Sequence, residues 1–364
     1  MQLLEQLAYR HTSNCSLEFI SMECASIHGY IECMVELCES EVLLEGISIK
    51  DLAKKVGNFI LGIIKKIKDL TLIAIDVLKA IVKKLVSYVK PNKDKDNHRS
   101  KKDMTEDELI KDLLNHNPYT GITPHEIMFG VKDVSIFIRH VIGERVPNKI
   151  KDYQEILSDI ISGKYGLNDV YDDDLGYGTS NKQLLDELFD DTHDFKWFFG
   201  SYYKEFNAGT NISGILNGPN NIPKVIDLLY TNGSKKTFDE QVYDEKGINQ
   251  LQIDVDDTAK KFKLAISNII KSMENNVKAC DDFKSKIEYA MKNLSSQKDA
   301  DDQFVQKCLV KLTEHWSILS NVSTSIISLI PSFVTRVEND IDSVQQYING
   351  IDMKIKEIKG GQKL

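Results

Sequence analysis

Proline is scarce in this 364-residue chain, with seven residues, and so are cysteine, with six, and tryptophan, with two. Little proline beside an ordinary apolar fraction of 41 % excludes a wholly disordered chain, and the length allows two or three domains with cores of their own. Also missing is a basic start followed by an apolar core. Glu5, Glu18 and Glu23 interrupt the first residues, so the N-terminus does not read as a secretory signal and synthesis in a cytoplasm is expected. The cysteines form no C-x-x-C pair, and Cys24, His28, Cys33 and Cys38 do not have the spacing of a zinc finger or ribbon. On a helix Cys24 and His28 would share a face open to a metal, but the six cysteines are read as free thiols used as small apolar residues. The longest uncharged run, Trp316 to Thr335, holds nine Ser, Thr or Asn residues and Pro331. It is expected to be a buried helix with a polar stripe and not a membrane span.

A surplus of positive charge is absent too. With 46 Lys+Arg against 55 Asp+Glu the net charge is −9, which argues against a dedicated duplex-DNA binder. The charge is unevenly spread. Residues 1–45 carry eight acidic residues and one arginine, a net −7. Residues 46–102 carry fifteen basic and five acidic residues, a net +10, and the remainder carries −12.

Apolar spacing then predicts a mostly α protein. Residues 1–45 have apolar positions at three- and four-residue steps with glutamates between them, the pattern of an acidic helical leader. Residues 46–90 follow as a long basic amphipathic helix. Its apolar stripe runs from Ile49 to Tyr88, and its polar face is built from Lys54, Lys55, Lys65, Lys66, Lys68, Lys79, Lys83 and Lys84. Ser48 with Asp51 is a helix start and Pro91 a stop, while Gly57 and Gly62 could bend the helix. Residues 91–103 read as a polar linker. Residues 104–246 read as a small globular, mostly helical domain, opened by Thr105 and Glu108, with helical patterns at Leu109–Leu114, Ile127–Ile142 and Tyr153–Ile161. Residues 247–364 give two long heptad-like helices separated by a break at Ser295–Asp302. These are expected to fold back as an antiparallel hairpin, kinked at Pro331.

Candidate chemistry is thin. The acidic loop Asp169–Gly176 lacks the alternating ligands and the glycine and glutamate positions of an EF-hand, and a solvated loop is the simpler reading. His193 lies among Asp190, Asp191 and Asp194 without a second cluster to complete a metal site, and His116, His125 and His140 are scattered. The aromatic residues Phe195, Phe198, Phe199, Tyr202 and Phe206 share a helical face and read as core. No phosphate-cradling glycine loop, nucleophile elbow or zincin helix is present, so neither an enzyme nor a cofactor is expected. The lysine-rich helix is the strongest functional candidate. It could meet an anionic membrane, an acidic partner or a nucleic-acid backbone, or simply pack into the protein's own bundle with its lysines in water.

The junction between the acidic and basic segments reads Leu43-Leu44-Glu45-Gly46. It resembles the Leu/Ile-x-Glu followed by Gly or Ala that is cut by the prohead maturation proteases of large tailed bacteriophages. Leu43 stands at the residue read by the protease, and Glu45–Gly46 is the scissile bond. In those families short leaders direct internal head proteins into the assembling capsid and are removed there. At 45 residues this leader is longer, with room for a structural role of its own. The Lys-, Asn- and Ile-rich composition is likewise similar to internal virion proteins of phages of low-GC hosts. The resemblance implies a structural virion protein inside the capsid, with capsid or scaffold proteins as partners. Packaged DNA or the host membrane would be met through the basic helix, and self-association would run through the C-terminal hairpin. The alternative is a membrane-active, pore-forming or toxin-like helical protein.

Overall fold

The computed structural model describes residues 49–88, 104–162, 222–230, 241–292 and 302–360. These residues are overwhelmingly helical. Among them there is no strand, only an isolated antiparallel bridge between Tyr119 and Gln241. The helices are α1 (Ile49–Tyr88), α2 (Met104–Asn115), α3 (Pro124–His140), a π-helical turn (Val141–Arg145), α4 (Val146–Ser162), α5 (Ile222–Tyr230), α6 (Glu245–Lys292) and α7 (Asp302–Lys359). The leader, the Glu45–Gly46 junction, the polar linker, the acidic loop, the His193 cluster and the aromatic run all lie outside the described residues.

Local chemistry accounts for several element ends. Thr123, Pro124 and Glu126 make a capping box at the start of α3. The Thr123 N–H donates to Glu126 Oε2 at 3.0 Å and the Glu126 N–H to Thr123 Oγ1 at 3.3 Å, while Pro124 occupies the position where a missing N–H costs nothing. At the start of α6 the Asp244 carboxylate accepts the Gly247 N–H at 2.6 Å. The π turn between α3 and α4 has a covalent cause just beyond it. Pro147 has no N–H to give the Gly143 carbonyl, and its ring would clash with that carbonyl in a regular α-helix. The chain takes up one wider turn instead, in which the Val146 N–H reaches back to the Val141 carbonyl. Helix α1 runs as one element through Gly57 and Gly62, and the expected stop at Pro91 lies outside the described residues.

The chain divides into two compact units. Among the described residues, the first contains α1 to Val77, the chain from Phe137 through α4, α5 to Val225, α6 from Ile269 and α7 to Pro331. Its core centres on Trp316, which is fully buried, with the Phe283 ring 5.1 Å and the Tyr153 ring 5.7 Å away. Full burial of a large apolar side chain contributes about 1.5–3 kcal/mol relative to leaving it in water. The Tyr153 hydroxyl also meets His315 Nδ1 at 3.2 Å. In this unit α1 and α6 run antiparallel, since Gly57 lies against Met291 and Lys68 pairs with Asp281 at 2.5 Å. A side chain at position 57 would place its Cβ 2.8 Å from the Met291 sulfur, so glycine sets the closeness of the two helices.

The second unit contains α1 from Leu78, α2, α3 to Ile136, α5 from Ile226, α6 to Asn268 and α7 from Ser332. Here Tyr230 packs edge-on against Phe333, donates its hydroxyl to Asp340 at 2.5 Å and lies under the Arg336 guanidinium. Arg336 in turn holds Asp227 at 2.6 Å. Burial raises the pKa of Asp340, against the opposing pull of the Tyr230 hydrogen bond and of Arg336. Gln252 and Gln345 exchange reciprocal amide hydrogen bonds at 3.0 and 2.8 Å, and Lys359 pairs with Glu245 at 2.6 Å. Tyr119, whose backbone makes the bridge to Gln241, packs its ring 5.0 Å from that of Tyr347 in a tilted arrangement, and the Tyr347 hydroxyl donates to the Asn117 carbonyl.

Candidate functional site

The two faces of α1 have opposite fates. Its apolar stripe is buried within the protein: Val56, Ile60, Ile63 and Ile67 in the first unit are inaccessible to solvent, as are Ala74 in that unit and Leu78 in the second. The lysines lie outward. In the first unit Lys54, Lys55 and Lys65 are exposed and Lys66 is partly so, and in the second unit Lys79 and Lys83 are exposed. Lys84 belongs to the same helix. The Lys68 ammonium is engaged by the Asp281 carboxylate, which raises its pKa, first through the hydrogen bond itself. Lys54, Lys65, Lys79 and Lys83 are exposed positions of the candidate interaction face, while the Lys84 side chain, Leu43, Glu45 and Gly46 fall outside the described residues.

This arrangement determines what α1 can do. An amphipathic helix binds a membrane by burying its apolar face in the interfacial region. That face is here already covered by protein, so α1 offers a ligand its charge and not its hydrophobic surface. A row of exposed ammonium groups suits a phosphate backbone or an acidic protein surface, through contacts weakened by salt.

Helix α7 raises the membrane question separately. It carries a window apolar and long enough to cross a bilayer, and 61 % of that window is buried inside the protein. Ser320, Ser323 and Thr324, part of the polar stripe expected between Trp316 and Thr335, are fully buried. The Ser323 and Thr324 hydroxyls donate to the Leu319 and Ser320 carbonyls, which settles them inside a packed helix.

Cys280 and Cys308 are free thiols, both buried. Burial pushes each up to about 12. For Cys280 the neighbouring Asp281 adds to the rise and Lys68 opposes it, so burial disfavours the thiolate at both positions. Among the described residues no three His, Cys, Asp or Glu side chains cluster as a metal site. His116 stays exposed and hydrogen-bonds the Asp112 carbonyl, His125 meets Phe129 edge to face and His140 lies 3.5 Å from Glu144.

Comparison with protein-family models, with curated proteins and with solved structures finds no match to the chain.

Proposed function

We propose that the chain is a structural protein of a tailed-bacteriophage virion, held inside the head and matured by cleavage between Glu45 and Gly46. One observation carries this reading. The Leu43-Leu44-Glu45-Gly46 sequence falls where a segment of net charge −7 gives way to one of +10. A protease acting there removes the acidic leader and leaves the basic helix at the new N-terminal end. The leader would hold the precursor in the scaffold and mask the lysines of α1 until cleavage.

Lys54, Lys55, Lys65, Lys79 and Lys83 are exposed, and all the described helices begin after Gly46, so none loses residues on cleavage. The mature protein then works through surfaces and not through chemistry, with packaged DNA or an acidic capsid wall opposite the lysines. Helices α6 and α7 form the antiparallel hairpin on which self-association would rest. The Glu245–Lys359 and Gln252–Gln345 pairs, which run in opposite chain directions within the second unit, support it. The membrane-active alternative draws on the apolar window of α7, but it would require that helix to leave its protein neighbours.

Mass spectrometry of purified particles tests the proposal. The expected result is a mature chain starting at Gly46. An intact Met1 start in mature virions would remove the processing step, and absence of the chain from particles would remove the virion assignment altogether.

A further inference from the structure

The first unit holds a cavity of about 540 Å³ between the π turn with α4 on one side and α6 on the other. Its first wall is Gly143, Pro147, Lys151 and Gln154, spaced at four, four and three residues and so on one face of the helical run. The second is α6, where Lys278, Asp282 and Lys286 follow at four-residue steps beside Asn275. Three ammonium groups thus line the space against one carboxylate. None of these four charged groups takes part in an ion pair among the described residues, although the i,i+4 spacing on α6 would permit two. Gln154, only 2 % exposed, is the buried polar residue of this lining. Pro147 imposes the π turn, and Gly143 lets that turn approach α6 so closely that a Cβ would stand 2.9 Å from Ser272. Wide π turns of this kind recur at ligand sites.

We propose that this cavity binds a small phosphate-bearing anion. The net charge of its lining, +2, matches a ligand of two or more negative charges, and the amides of Gln154 and Asn275 can donate to phosphate oxygens. Its volume is that of small-molecule pockets. The site is separate from the exposed lysines of α1, and the proposal stands or falls without the virion reading.

Titration calorimetry of the full chain with inorganic pyrophosphate tests it. Saturable binding at one site is expected, weakened about tenfold or more by the combined Lys151→Gln, Lys278→Gln and Lys286→Gln variant and about threefold by Gln154→Leu, which leaves the charge untouched. Lys260→Gln, on an exposed part of α6 outside the cavity, should leave affinity unchanged. Circular dichroism equal to that of the parent chain shows that each variant has folded, and the three lysine changes are all at exposed positions. Absence of saturable pyrophosphate binding overturns the proposal, as does an affinity indifferent to the triple variant or to Gln154→Leu. A parallel titration with a short DNA duplex separates the two sources of phosphate. Duplex binding that the triple variant abolishes, with no binding of pyrophosphate, would assign the lysines to a nucleic-acid backbone and overturn the small-anion site.

Discussion

At the scale of single residues, His140 shows how position decides the role of a titratable group. It sits at the last position of α3, with 21 % of its side chain exposed, beside Glu144. Burial lowers its pKa from 6.5, Arg145 and Arg139 lower it further, and Glu144 pulls the other way. The folded chain therefore takes up a proton at His140 less readily than the unfolded chain does. Above pH 6.5 the imidazole is neutral in both states and adds no pH dependence. As the pH falls below 6.5 the unfolded state gains protons first, and stability is lost until the folded pKa is passed. His140→Gln should thus show a smaller drop in melting temperature between pH 7.5 and pH 5.5 than the parent chain. An equal or larger drop in the variant would mean that Glu144 dominates the imidazole after all.

At the scale of elements, the glycines give predictions of opposite sign. Gly143→Ala puts a Cβ 2.9 Å from Ser272 where the π turn meets α6, and should cost about 1–3 kcal/mol in urea unfolding. Gly350→Ala lies inside α7 with nothing within 4 Å of the new Cβ, and should gain about 0.5–1 kcal/mol from helix propensity and reduced unfolded-state freedom. A neutral Gly143→Ala would show that the turn and α6 are not in tight contact. The same elements show what a sequence can and cannot convey. The extents of α1, α6 and α7 are legible because buried positions such as Val56, Ile60, Ile63 and Ile67 recur at helical spacing over tens of residues. The Thr123–Glu126 capping box is legible in the chain as Thr-Pro-His-Glu. The continuation of α3 through Val141–Arg145 into α4 was hidden, because a proline at 147 ordinarily ends a helix and a π turn has no periodic signature. Of the lysine face, exposure was readable from position, but the capture of Lys68 by Asp281 depends on a residue 213 positions away. The cavity lined by Lys151 and Lys286 was invisible for the same reason, since its walls are brought together only by packing.

At the scale of the whole molecule, the net charge of −9 describes the chain with its leader, and removal of a segment of −7 leaves −2 with the positive charge gathered at the new N-terminal end. If the chain is cleaved as proposed, the nearly neutral, polarised product can approach a polyanion that the full chain would avoid. A lipid surface presents negative charge as well, so attraction by itself does not separate DNA, capsid and membrane as destinations; the apolar faces do. To insert, α1 would have to give up protein contacts along Val56, Ile60, Ile63 and Ile67, and α7 would have to carry Ser320, Ser323 and Thr324 out of the interior. Exchanging protein for lipid around the apolar side chains returns little free energy, because both surroundings are free of water, while opening each unit exposes polar groups and loses close packing. Electrostatic adsorption without insertion is therefore the expected behaviour at a bilayer. With vesicles of equal phosphatidylglycerol and phosphatidylcholine at pH 7 and low salt, both the full chain and a chain starting at Gly46 should release no entrapped dye. Any sedimentation of the shorter chain with the vesicles should be reversed at high salt, as adsorption through exposed lysines requires. Dye release that survives high salt would mean that the helices exchange their protein neighbours for lipid, and would favour the pore-forming reading over a protein confined to the head.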